Sequence, residues 1–281
     1  MRGTTAVGAV LVACCLSPWV PGAAQTPQPT RADVVLPDAH SVVLRHPRTK
    51  EDYKIFVALP SSYGNGEKRY PVLYTLDANS AFAMITETYR LLRVDASTPD
   101  LILVGIGYDV AGAARRGRRG KDLTPTRVAN DPNSGGSKEF INFISETLIP
   151  FVDTTYRTVP QDRGIHGHSI GGLFVLHALF EKPELFRRYI ASSPSLWWDD
   201  AILLKQESEF GKRNAKLEKA VFLSVGGREA DDMRQHFQPF VDIVRSRKYS
   251  GLSIESVVLP DEDHLSIFIP AFVRGLRAVY R

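Results

Sequence analysis

Arg163-Gly164-Ile165-His166-Gly167-His168-Ser169-Ile170-Gly171-Gly172 is the stretch on which the fold of this 281-residue chain turns. A short run reaching Ile165 feeds a Gly-flanked turn. After it, Leu173, Phe174, Leu176, Leu179 and Phe180 repeat at helical spacing. Strand, sharp turn and helix together hold a serine in a strained conformation, with its hydroxyl at the crest and a helix N-terminus behind it. The glycines are expected to pass close to neighbouring backbone, where a β-carbon would collide. This pattern is a nucleophile elbow. The pentapeptide alone is a modest signal against an ordinary Gly-rich turn, so the rest of the chain must supply a base, an acid and oxyanion donors.

Outward from the elbow, apolar runs alternate with helical patterns. Val34 to Leu36, Ser41 to Arg45 and Lys54 to Leu59 read as early strands, the last two antiparallel across the polar turn His46 to Asp52. Pro71 to Leu76 reads as a central parallel strand, with Ser80 capping a helix from Ala81 to Leu92. Leu101 to Ile106 is a further buried strand. Tyr108 to Ser137 reads as a long, basic, Gly-rich loop over the sheet's C-terminal edge. Lys138 to Tyr156 is helical, with Pro150 expected to kink or shorten it. Strands follow at Tyr189 to Ser192, Ala220 to Val225 and Ile254 to Leu259, with helices from Ala230 to Arg247 and from Leu265 to Val279. The pattern specifies an α/β class: one doubly wound domain over 41–281, its mainly parallel twisted sheet covered by helices on both faces.

Composition agrees with a globular chain: 43% of residues are hydrophobic, and the net charge of +4 is spread out except in the run Arg115 to Lys121. Nucleic acid is therefore a poor partner class. Residues 1–24 read as an export signal: Arg2, an apolar core from Ala6 to Leu16, then Gly22-Ala23-Ala24 before Gln25. Gln25 to Arg31 is a tether. The location expected is periplasmic or secreted, the alternative being a lipoprotein acylated at Cys14. Both cysteines, Cys14 and Cys15, lie inside this signal, so a chain cut after Ala24 has no thiol chemistry.

In a doubly wound sheet, ligands gather beyond the carboxyl ends of the strands. Ser169 follows the elbow strand, Glu229 follows Ala220 to Val225, and His264 follows Ile254 to Leu259. Their order, Ser then acid then His, is that of the α/β-hydrolases. A histidine in reach of the hydroxyl takes its proton during attack, and a carboxylate fixes the imidazole tautomer. The backbone N–H groups of Ile170 and Asn79 are the expected oxyanion donors. Asp231, Asp232, Asp261 and Asp263 compete as the acid. His168 precedes the serine and is expected to point away from the base position, as is His166. His40, His46, His177 and His236 read as surface or helix-face residues. No metal site is expected, because His166 and His168 lack further ligands.

Gly167-His168-Ser169-Ile170-Gly171-Gly172, Pro183-Glu184-Leu185-Phe186, Tyr189 to Trp198 and Val72 to Asp77 together resemble the esterase family of α/β-hydrolases, and within it the enterobactin (siderophore) esterase-like branch. The resemblance implies a lidless or lightly covered carboxylic ester hydrolase. Its nucleophile maps to Ser169, its base to His264 and its acid to Glu229. Ala78 stands where many members have glycine, which puts the oxyanion role of Asn79 in question. Siderophore esterases cleave iron-chelating trilactones whose ferric catecholate forms are anionic. Arg118 and Arg119 could meet such an anion and Trp197 could stack on its rings, against a plainer reading of a solvated basic loop and a core tryptophan pair.

The function expected is an exported serine esterase working through an acyl-enzyme on Ser169, on siderophore trilactones or aryl esters. The alternatives are an acyltransferase of the same fold and a non-catalytic periplasmic protein binding anionic aromatic ligands. The expected partner is a small-molecule ester, with no cofactor, no membrane association unless Cys14 is lipidated, and an open oligomeric state.

Overall fold

Side chains alternate across the central strands, and this alternation divides the core into two layers. In β3 (Tyr70–Thr75), Val72 and Tyr74 face one layer and Leu73 the other. In β6 (Arg188–Ser192), Tyr189 and Ala191 oppose Ile190; in β7 (Ala220–Gly226), Val221 and Leu223 oppose Phe222. Strands buried on both faces read as continuous apolar runs, which is why these were legible as parallel strands. α1 (Ala78–Val94) and α9 (Phe268–Val279) cover one face; α3 (Ser137–Phe143), α5 (Ile170–Glu181), α6 (Trp198–Arg213) and α8 (Phe237–Ser246) pack in the other layer.

The computed structural model describes residues 33–281. The export signal, Cys14, Cys15 and the tether lie outside the described residues. Within the unit Leu36–Arg281, the sheet has eight strands among the described residues, ordered β1-β2-β4-β3-β5-β6-β7-β8. β1 (Ala39–Arg45) and β2 (Asp52–Ala58) are antiparallel, as are β2 and β4 (Ile102–Tyr108). From β4 through β3, β5 (Thr158–His168), β6 and β7 to β8 (Ser253–Leu259), neighbours are parallel.

Several expectations are corrected. Val34 to Leu36 form no strand; Leu36 instead packs on the layer of α1, and β1 starts at Ala39 beyond a turn at Asp38. α1 begins at Ala78, ahead of Ser80, because Asp77 adopts φ 57°, ψ 29° and its carbonyl accepts the N–H groups of Ser80 and Ala81. The supposed loop Tyr108 to Ser137 contains α2 (Gly112–Leu123). Pro150 stands where the helix changes form: a π turn over Ile144–Leu148 precedes it, and α4 (Ile149–Thr155) carries the proline at its second position. The helix after Ala230 is two, α7 (Asp231–Gln235) and α8. α6 was not anticipated at all.

Candidate active site

The elbow is built by close approach. A β-carbon on Gly167 would lie 2.3 Å from the Gly171 carbonyl oxygen, and one on Gly172 would lie 3.0 Å from both Pro194 Cα and the Ser192 oxygen. Gly171 is different, since the same test meets only ordinary contact, 3.4 Å from Asp77 Oδ2. The turn forces Ser169 to φ 61°, ψ −124°, a conformation costing on the order of 1–3 kcal/mol. Three hydrogen bonds hold it there. Ser169 N–H donates to the Ser192 carbonyl at 3.0 Å, and its own carbonyl accepts from Leu173 N–H at 3.0 Å and Ser195 N–H at 3.2 Å.

Two further strand-end turns interlock beside it. Gly227 N–H donates to the Leu259 carbonyl and Arg228 N–H to that of Glu262. Gly226 and Gly227 permit this, because β-carbons there would press on the Glu262 and Pro260 carbonyls at 2.4 and 2.6 Å. The result brings together all three residues expected from strand-end placement. Ser169 Oγ lies 3.0 Å from His264 Nε2, and His264 Nδ1 lies 2.7 Å from Glu229 Oε2. Glu229 Oε1 accepts from Gly226 N–H at 2.6 Å and from Ser193 Oγ at 2.5 Å. Burial alone would raise the Glu229 carboxyl, but the donors from His264, Ser193 and Gly226 outweigh it and hold the group below the usual range. This carboxylate is ionised and acceptor-only, so the imidazole N–H sits on Nδ1 and Nε2 is free to accept from the serine.

The competing acids are engaged elsewhere or stand apart. Asp263 accepts from the N–H groups of Leu265 and Ser266, Asp231 pairs with Arg234, and Asp232 accepts from Met233 N–H. Asp261 is exposed. Ser193 was missed, although it obeys the same rule: it directly follows β6.

His168 corrects an expectation. Its ring lies 4.7 Å from that of His264, beside the base rather than away from it. Burial, followed by repulsion from His264 when that ring is protonated, pushes its pKa down to about 4, so it is neutral. His166 is buried against Phe268 and Phe272 and shares a hydrogen bond with Thr75. His46 is a core rather than a surface residue, its Nδ1 accepting from Arg48 N–H, and His177 lies on a buried face of α5, where it bridges Ser137 and Gln206. His40 contacts Tyr156 Oη, and His236 the Asp232 carbonyl.

On the oxyanion side, the Asn79 side chain is tied to β4. Its Oδ1 accepts from Tyr108 N–H at 2.7 Å and its Nδ2 donates to the Tyr108 carbonyl at 3.0 Å. The methyl of Ala78 fits because β4 offers Gly105, whose own β-carbon would come within 2.7 Å of it. Among the described residues, no backbone carbonyl accepts the Ala78 or Asn79 N–H, as is usual for a first helical turn.

A cleft of about 420 Å³ opens here, with His168 and Asn79 in its lining. Its lining is basic at Arg115, Arg116 and Arg119 and apolar at Met84, Leu265 and Phe268, and includes neither Ser169 nor His264. Arg119 grips Asp77 through two hydrogen bonds, Nε to Oδ1 at 2.6 Å and Nη2 to Oδ2 at 2.8 Å. Arg118, expected here, turns the other way. It pairs with Glu51 and Asp122 and lies over the rings of Tyr53 and Tyr108, so it secures α2 instead of meeting a ligand. Trp197 does not line the cleft either: its indole N–H donates to Met233 Sδ, while Trp198 is core. Arg115 and Arg116 have no carboxylate partner among the described residues. No cluster suited to a metal ion occurs among the described residues.

Strand order and the position of the site define the class, which is the α/β-hydrolase fold. Comparison with known proteins narrows it, and the chain belongs to the family described as "Putative esterase", whose profile matches residues 47–255. It is 30% identical over 245 residues to the ferri-bacillibactin esterase BesA of Bacillus subtilis, covering 80% of this chain and 83% of that one. Among solved structures, the BES protein of Bacillus cereus superposes with a TM-score of 0.82 at 25% identity, covering 91% of this chain and 100% of the other. An IroE-like serine hydrolase of Shewanella oneidensis gives 0.76 at 25% identity, with coverage of 86% and 80%. The chain is a carboxylic ester hydrolase.

Proposed function

We propose that the chain is a serine esterase cleaving anionic aromatic esters, siderophore trilactones among them, through an acyl-enzyme on Ser169. The observation that carries this is the unbroken series Ser169 Oγ, His264 and Glu229, with contacts of 3.0 and 2.7 Å. Ser169 Oγ attacks the ester carbonyl carbon as its proton passes to His264 Nε2; Glu229 stabilises the imidazolium and is not itself protonated. The Ile170 and Asn79 N–H groups, each at a helix N-terminus, receive the oxyanion. Collapse breaks the bond to the leaving alkoxide, which takes the proton from His264. Water then repeats the sequence on the acyl-enzyme, returning Ser169 and releasing the acid.

The substrate class is supported by the cleft's mixed lining and by the relatives. Arg115 and Arg116 suit an anion, and Met84, Leu265 and Phe268 suit flat apolar groups. BesA is by name an esterase for an iron-loaded siderophore. Export remains part of the proposal, with the mature chain starting at Gln25; sequencing the N-terminus of the protein from the exported fraction tests it.

The central test is a hydrolysis panel comparing short p-nitrophenyl esters with a catecholate trilactone, with and without iron, on wild type and Ser169→Ala. Wild type is expected to prefer the trilactone, and the variant to lose at least about a thousandfold in turnover. Undiminished hydrolysis by the variant would refute the nucleophile. Equal handling of all esters would refute the substrate class.

A further inference from the structure

Asp77 and Ser169 are both forced to positive φ, 57° and 61°, and they open the two turns that carry the proposed oxyanion donors. One guanidinium touches both turns. Arg119 holds both oxygens of Asp77, and its Nη2 also lies 3.5 Å from the carbonyl oxygen of His168, the peptide that leads into Ser169. Asp77 Oδ2 in turn lies over Gly171, next to the Ile170 donor. The Asp77–Arg119 pair therefore sits at the seam between the turn bearing Asn79 and the turn bearing Ile170.

We infer that Arg119 is a positioning residue for the oxyanion hole, not a substrate anchor: it fixes the separation of the two donors and cancels the Asp77 charge beside them. This rests on the serine-esterase reading above. A partly buried carboxylate next to a developing oxyanion opposes it, and a paired one does not. The fork geometry matters because it presents parallel N–H groups to one carboxylate while leaving an edge for the His168 carbonyl; a lysine ammonium cannot hold all three in one plane. With its charge taken by Asp77, Arg119 has little left for an anionic ligand. The same helix face supplies Arg115 and Arg116 one turn earlier for that purpose.

The test uses p-nitrophenyl acetate, which is uncharged and too small to need an anion anchor. Arg119→Ala is expected to lower kcat about a hundredfold with KM changed less than about threefold, a loss comparable to that of one oxyanion donor. Adding Asp77→Asn to it removes the exposed charge and is expected to restore at least about tenfold; asparagine also accepts the left-handed backbone. Arg119→Lys, which keeps the charge and the fold if the alanine variant does not fold, is expected to retain less than about a tenth of wild-type kcat. An unchanged kcat in Arg119→Ala or Arg119→Lys, an effect confined to KM, or no recovery in the double variant overturns the proposal. A wild type that fails to hydrolyse the ester, or a fully active Ser169→Ala, overturns the esterase reading instead.

Discussion

Ser193 Oγ donates to Glu229 Oε1 at 2.5 Å, on the opposite side of the carboxylate from His264. The acid is thus held from both ends, and a fourth side chain joins the series that ends at Ser169. Ser193 is itself buried at φ 44°, so the turn after β6 is shaped to aim this hydroxyl.

Ser193→Ala should therefore slow the enzyme without silencing it. A hydrogen bond to a charged group contributes about 1.5–3 kcal/mol, of which a part reaches the transition state. We expect kcat to fall about tenfold with KM nearly unchanged, measured as initial rates on a p-nitrophenyl ester. Wild-type kcat in this variant would mean that Gly226 N–H and His264 suffice to fix the acid.

Glu229→Gln keeps the shape and loses the charge. The amide can no longer accept from both Ser193 and Gly226 while also accepting a hydrogen bond from His264 Nδ1–H, so the imidazole is free to adopt the tautomer that cannot accept from Ser169. A loss of about a thousandfold to ten-thousandfold in kcat is expected, with labelling by a fluorophosphonate slowed in parallel. A loss below about tenfold would move the acid to another residue.

Ser169, Glu229 and His264 were legible because each follows an apolar run whose end marks the sheet's carboxyl edge, and chain order did the rest. What stayed hidden was held by tertiary pairing, which leaves no period in the sequence. α2 reads as a loop because it carries Gly112, Gly117 and Gly120 with a row of arginines; its anchors are Arg118 over Tyr53 and Tyr108, Arg119 on Asp77, and Lys121 on Glu51. α6 hides for a related reason. Its inner face includes Glu207, fully buried and satisfied by Arg247 and Tyr249, so the apolar stripe is interrupted where a charge pair replaces it. The direction of His168 depends on how close the base loop comes to β5, and no local signal encodes that.

The elbow glycines should separate sharply. Gly167→Ala drives a β-carbon into the backbone of Gly171 and is expected to abolish soluble, active protein. Gly171→Ala meets only ordinary van der Waals contact, with Asp77 Oδ2 and the Leu76 side chain, and alanine favours the helix that begins there. Its stability should stay within about 1 kcal/mol of wild type by thermal unfolding. Equal damage from both substitutions would refute this account of the turn.

Arg115 and Arg116 should act on charge. Replacing both with alanine is expected to raise KM about threefold to tenfold for an anionic aryl ester, with the effect shrinking as salt rises from low to about 0.5 M. Hydrolysis of p-nitrophenyl acetate should not change. A KM increase on the neutral ester as well would mean that the helix, not the charge, had been disturbed.

The last expectation concerns acid stability and begins at His166. Burial, with a smaller contribution from the charge His168 carries when protonated, pushes its pKa down to about 3, and the ring is flanked by Phe268 and Phe272 with only Thr75 as a partner. In the unfolded chain the same imidazole titrates near about 6.5. Between these values the unfolded state holds a proton that the native state does not, so stability falls as pH is lowered from about 6.5. Over that window one group contributes a slope of up to about 1.4 kcal/mol per pH unit. His166→Gln keeps a hydrogen-bonding group for Thr75, able to donate or accept, and cannot titrate. Whatever its absolute stability, its unfolding free energy should decline less steeply between pH 6 and about 4.5 than that of wild type, by denaturant titration at each pH. His168 is pushed down to about 4 and continues to titrate in the variant, so a residual slope should remain. Identical slopes in the two proteins would mean that His166 is protonated in the native state, which its apolar surroundings oppose.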